Sequence, residues 1–149
     1  MMSMVENAKI ASELHEALNN RELDKAIALF ADDASWIVMP GGTCYSKEEI
    51  RKYLERTMET TDKFILKDIQ PPVVSGDMLT HEYTLELKLR DGREGFIPSI
   101  VVMELHNGKI SQVRNYIDKL EAAKQLAKGI VAKRAVAAVA KQVESLVNP

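Results

Sequence analysis

His81 and Tyr83 stand two residues apart in the run Leu79-Thr80-His81-Glu82-Tyr83-Thr84-Leu85. A period of two puts both on the face that carries Leu79, Leu85, Leu87 and Leu89. A neutral imidazole titrates near pH 6.5 and can accept a proton as a general base. A phenol on the same face can donate a hydrogen bond to a developing oxyanion. The same pair has a plainer reading as core residues bonded to each other or to backbone, because buried polar groups are normally paired. Other reactive side chains carry less. His15 sits between Leu14 and Glu16 and is expected at or near the surface. His106 flanks a turn and is expected to be solvated, and Cys44 has no histidine near it in sequence. No His, Cys, Asp or Glu cluster has metal-ligand spacing, so neither a metal nor another cofactor is implied. Gly41-Gly42 lacks a GxGxxG pattern or a phosphate-binding lysine, so nucleotide binding is not supported.

Composition narrows the class. The chain has 149 residues, 46% hydrophobic and 28% charged, enough for one domain with a sizeable core. Twenty Lys and Arg against 22 Asp and Glu give a net charge of -2, which argues against a nucleic-acid partner. One cysteine cannot form an internal disulfide. No run of about 18 apolar residues predicts a membrane span, and no secretion signal is visible, so the expected location is cytoplasmic.

The elements that must position these residues follow from periodicity. Ala8, Ala11, Leu14 and Leu18 predict a first helix, broken at Asn19-Asn20. Leu23, Ala26, Ile27 and Phe30 predict a second, ending at Asp32-Asp33. Ala34 to Met39 reads as a buried strand. Ser46 and Glu49 form a capping box, which opens a helix with Ile50, Tyr53, Leu54 and Thr57 inward. Lys63 to Val74 reads as a strand that Pro71-Pro72 marks as an edge or a break. The strand 79–89, the turn at Asp91-Gly92, the strand 94–105, the Asn107-Gly108 turn and the strand 109–118 complete an antiparallel meander. The strand 94–105 is apolar on both faces, so its second face wants a cover, either the tail or another subunit. The tail, 119–149, is Ala- and Lys-rich with an apolar stripe and predicts one helical extension on the 1–118 domain or on a partner.

The element order, with Ala28 to Trp36, Ser46 to Leu54, Val102 to Ile110 and Val113 to Asp118 in sequence, resembles the SnoaL-like branch of the nuclear-transport-factor-2-like superfamily. Its members include polyketide cyclases, ketosteroid isomerases and limonene epoxide hydrolase. The resemblance implies an α+β fold: a cone-shaped α+β barrel in which a curved antiparallel sheet wraps around N-terminal helices, here with an added C-terminal helix. It also implies an apolar interior for a small ligand.

The chemistry of those relatives does not transfer intact. Positions that resemble the isomerase base and tyrosine donor fall near Val38 and Leu14, which move no proton. Positions that resemble the epoxide-hydrolase triad fall at His81, Tyr83 and Asn115, and the cyclase aspartate also lands nearest Asn115. The resemblance therefore leaves His81 as base, Tyr83 and Asn115 as oxyanion donors, and Trp36, Tyr53, Phe64, Ile97 and Val101 as the apolar wall. Three readings follow. The first is a cofactor-independent acid/base enzyme of isomerase, cyclase or hydratase type acting on a small apolar ligand that bears oxygen. The second is a non-catalytic binder of such a ligand. The third is an interaction domain with a vestigial pocket. A homodimer is expected under all three.

Overall fold

The computed structural model describes residues 3–39 and 41–148. Helices α1 (Met4–Asn19) and α2 (Leu23–Ala28) lead into strand β1 (Phe30–Met39), the short β2 (Thr43–Cys44) and helix α3 (Lys47–Thr60). Strands β3 (Thr61–Asp68), β4 (Val73–Ser75), β5 (Met78–Leu89), β6 (Glu94–His106) and β7 (Lys109–Ile117) follow. Helices α4 (Lys119–Leu126) and α5 (Ile130–Val147) close the chain. The sheet order is β2-β1-β7-β6-β5-β3, with β4 on β5. Mixed α and β elements around a curved, unclosed sheet agree with the expected cone. One feature of the sheet differs: β1 runs parallel to β7, while the other pairs are antiparallel. Register breaks at Phe30/Ser35, Thr61/Lys63 and Glu104/Leu105 mark the irregularities that bend such a sheet.

The long meander strands follow the expected two-faced alternation. On β6, Ile97, Val101 and Met103 are buried, whereas Phe96 and Ile100 are exposed. Asn107 and Gly108 take positive φ of 48° and 73°, as their turn requires. The Pro71-Pro72 break separates β3 from β4. The second helix ends at Ala28, earlier than its pattern suggests. Phe30 is buried as expected, but from the start of β1, so one apolar side chain satisfies both patterns.

Helix ends are fixed locally. Ser46 Oγ accepts the Glu49 N–H at 3.2 Å, but the Glu49 carboxylate reaches one residue further back than a capping box does, to the Tyr45 N–H at 2.6 Å. A full capping box, not foreseen in the sequence, opens α1 through Ser3 and Glu6.

Two polar anchors hold α1 across the concave side, and a third holds the turn that follows it. The Asn19 amide accepts the Leu66 N–H (2.7 Å) and donates to the Leu66 carbonyl (3.0 Å), taking the place of a neighbouring strand on the free edge of β3. Asn7 donates to the Gly76 carbonyl at 2.8 Å. Arg21, at φ 58°, donates to the Thr61 carbonyl at 3.0 Å and also to that of Met58.

The tail departs from a single helix. Ala127 turns extended and Gly129 takes φ 85°, splitting α4 from α5. Helix α4 docks where β6 extends past the end of β7. There the Gln125 side chain accepts from the Phe96 N–H (2.6 Å) and donates to the Phe96 carbonyl (2.9 Å), completing the ladder that β7 leaves open. Leu126 meets the inward face at Gly95, and Arg93 donates to the Leu126 carbonyl. Helix α5 leaves Val131, Val139, Val143 and Leu146 exposed. Among the described residues, no helix is long and apolar enough to cross a membrane.

Candidate functional site

Between α1, α3 and the concave sheet lies a hollow of about 40 Å³, on a measure in which one water needs about 10–15 Å³. Its walls are largely apolar: Leu14 and Leu18 from α1, Leu85 from β5, and Val101 and Met103 from β6. Trp36, Tyr53, Phe64 and Val101, four of the five expected wall residues, line it. The fifth, Ile97, is buried but lies outside the lining, next to Leu126 and Gly95. Tyr53 and Phe64 are only partly buried, so they form the rim. Trp36 stands between Phe30 and Tyr53, at ring separations of 5.8 and 5.9 Å. Its buried Nε1 has no partner among the described residues, which leaves a donor unpaired at the wall.

The polar groups converge on the hollow from three elements. Tyr83 and Asn115 both line it, and the Tyr83 hydroxyl donates to Asn115 Oδ1 at 2.7 Å. Their strands are not neighbours; β6 lies between them and pairs Tyr83 with Ser99 and Val101 with Asn115. Burial pushes the Tyr83 phenol up to about 12, with the Asn115 hydrogen bond acting against that rise. Tyr83 is thus a neutral phenol whose proton is already engaged. The Asn115 Nδ2 makes no bond among the described residues and is the donor left for a ligand.

His81 sits elsewhere than a base at the hollow would. It is buried (1% exposed) and lies behind His15, outside the lining. The histidine that reaches the hollow is His15, which the sequence pattern placed at the surface; it is 4% exposed. The reason is the breadth of the buried arc on α1. Ala11, Leu14, His15 and Leu18 follow i, i+3, i+4, i+7 and are all buried.

The two imidazoles stack, with centroids 4.3 Å apart and planes 6° from parallel, and Tyr83 meets His15 edge-on at 5.2 Å. Both rings turn a nitrogen toward one carboxylate oxygen. Asp68 Oδ1 is 2.8 Å from His15 Nδ1, in hydrogen-bond geometry, and 3.2 Å from His81 Nε2, without it. Burial lowers the pKa of both histidines, opposed in each case by Asp68. A carboxylate can only accept, so the bond requires a hydrogen on His15 Nδ1 and leaves the Nε2 lone pair free. Neutral His15 held by Asp68 thus keeps one free ring lone pair, on a residue that lines the hollow.

Sequence reasoning missed Asp68. The alternation Phe64, Leu66, Asp68 along β3 places it on the inward face, and β3 pairs it with Tyr83. No sequence spacing suggested a metal cluster, yet His15, Asp68 and His81 offer three ligand-type atoms within 4.8 Å of one another.

Comparison with known proteins agrees with the architecture. A polyketide-cyclase candidate from Xanthomonas campestris pv. campestris superposes with a TM-score of 0.77 at 19% identity, covering 82% of this chain and 97% of its own. An epoxide hydrolase of the LEH-like type from Mycobacterium tuberculosis gives 0.74 at 22% identity, covering 86% and 94%. A protein of ketosteroid-isomerase-like fold from Catenulispora acidiphila, in complex with trimethylamine, gives 0.72 at 17% identity, covering 78% and 90%. At these identities the shared property is the fold. A search of curated proteins finds no match. The family model of the SnoaL-like domain matches residues 11–113, most of the chain and nearly all of the cone, and the protein therefore belongs to the SnoaL-like domain family.

Proposed function

We propose that the protein is an acid/base enzyme acting, without help from a redox or metal cofactor, on a small apolar molecule with one or two oxygens. His15 is the base, Asp68 orients it, and Asn115 Nδ2 with Trp36 Nε1 receives the substrate oxygen. The supporting observation is the Asp68–His15 hydrogen bond of 2.8 Å behind an imidazole that lines a largely apolar hollow. The proton is taken by His15 Nε2 from a carbon next to a carbonyl. The electron pair moves onto the carbonyl oxygen, where the two N–H donors steady it, and the proton returns to the same or a conjugated carbon. Tyr83 acts through Asn115 by holding its Oδ1, and His81 backs the His15 ring. A substrate larger than a few waters needs the rim residues Tyr53 and Phe64 to rotate outward. This assignment moves the base from His81 to His15, keeps Asn115 as a donor, and turns Tyr83 from an oxyanion donor into the group that holds Asn115 Oδ1.

The test is proton exchange in heavy water with cyclohexanone as the probe, followed by NMR. The wild type is expected to speed deuterium uptake next to the carbonyl, and His15→Gln to lose that acceleration. Wild-type protein that binds cyclohexanone, as seen by a thermal shift, but accelerates nothing would favour the non-catalytic binder.

A specific surface supports association of two copies. Phe96, Ile100 and Tyr116 are exposed together on the outer face of the sheet, and Ile100 pairs directly with Tyr116 across β6 and β7. Helix α5 presents a second exposed apolar stripe. In this reading residues 1–118 form the pocket domain, and 119–149 an extension whose distal helix packs on the partner subunit.

A further inference from the structure

We propose that His15, Asp68 and His81 form a binding site for one divalent transition-metal ion of the zinc class, and that its occupancy silences the base assigned above. The donors are His15 Nδ1, Asp68 Oδ1 and His81 Nε2, all within 4.8 Å of one another. Two imidazole nitrogens and one carboxylate oxygen suit zinc, cobalt or nickel, not calcium or magnesium. Zinc bonds of about 2.0–2.1 Å at tetrahedral angles put neighbouring ligand atoms roughly 3.3 Å apart. The nitrogen-to-oxygen spacings here are 2.8 and 3.2 Å, somewhat below that value, and the two ring nitrogens lie within 4.8 Å of each other.

A second, independent observation points to a ligand. His81 is 1% exposed; the Gln70 backbone stands close to its ring, but neither ring nitrogen has a partner in good hydrogen-bond geometry among the described residues. A buried imidazole left unpaired is costly, and an ion at Nε2 would satisfy it. Asp68 is half-exposed, which gives the ion an entry path and room for a completing water. The stacked rings must splay for both lone pairs to meet one ion, so binding is expected to be moderate, not of structural-zinc strength.

The consequence for chemistry rests on the acid/base reading. An ion on His15 Nδ1 displaces the hydrogen that Asp68 now accepts, so the remaining ring hydrogen must sit on Nε2. The lone pair assigned to proton transfer is then gone, and zinc becomes an inhibitor.

The experiment titrates chelator-treated, full-length protein with Co²⁺ and Zn²⁺ alone. Readouts are the visible absorption of tetrahedral cobalt, the calorimetric stoichiometry and the thermal shift. One equivalent is expected, with a tetrahedral cobalt spectrum that zinc bleaches. Binding is expected to weaken at least tenfold in His81→Ala and in Asp68→Asn. The Asp68 variant guards against misfolding of the buried histidine variant. Absent saturable binding, or binding that both variants keep at wild-type strength, would overturn the site. The two readings separate: exchange activity without metal binding refutes only the metal site, whereas metal binding without any exchange refutes the acid/base assignment and the silencing that rests on it, and leaves the site standing.

Discussion

Asp68 Oδ1 lies 2.8 Å from His15 Nδ1, although 53 positions separate the two residues and they belong to an edge strand and the first helix. The contact exists because α1 is clamped onto β3 and because β3 keeps its inward alternation to its last residue.

If His15 is the base, His15→Gln keeps a polar side chain of similar size and loses proton transfer. We expect cyclohexanone exchange to fall by roughly 10²–10⁴-fold, with cyclohexanone-induced thermal stabilisation retained. Asp68→Asn is expected to fall less, because it disturbs the tautomer and leaves the imidazole in place.

Asn19 should matter for stability, not chemistry. Asn19→Ala leaves the Leu66 N–H and carbonyl without the partners they now have at 2.7 and 3.0 Å. The expected cost is about 1–3 kcal/mol, read from the urea midpoint. An unchanged midpoint would mean that water replaces the amide fully.

Tyr83 predicts an alkaline weakness. Its folded pKa, about 12, lies above the ordinary phenol value of 10. The contribution is therefore complete below pH 10 and is lost as pH rises from 10 through 12, because the unfolded chain ionises first. Its size is on the order of 2–3 kcal/mol. Urea unfolding between pH 9 and 11.5 should show a steeper loss for the wild type than for Tyr83→Phe. Burial of Tyr53 raises its phenol too, so the variant should retain a residual slope.

The tail should divide functionally at its break. A chain ending at Lys128 keeps the Gln125–Phe96 bonds and removes α5. We expect it to fold, to keep its exchange activity and to run as a monomer in light scattering, where the full chain runs as a dimer. A full chain that is monomeric at all concentrations would remove the association reading.

Much of this fold is legible in the sequence because local rules and tertiary packing agree. The alternation from Leu79 to Leu89 needs one buried face, and that face is buried along most of its length. Asn107-Gly108 specifies its turn through positive φ alone. The site was only half legible. Tyr83 and Asn115 could be proposed from strand parity and resemblance, and their side chains do meet. His15 was hidden because a helix with a wide buried arc makes its flanking positions look peripheral. Asp68 was hidden because nothing local reports which strand β3 pairs with, or that Asp68 falls opposite Tyr83. The parallel β1–β7 pair was equally invisible, since it joins strands at opposite ends of the domain.

The most direct measurement is the tautomer of His15, read from long-range ¹⁵N–¹H correlations of metal-free protein at neutral pH. A ring protonated at Nδ1, with an unprotonated Nε2, is the predicted result. A hydrogen on Nε2, or a doubly protonated ring, would contradict the assignment of His15 as the base.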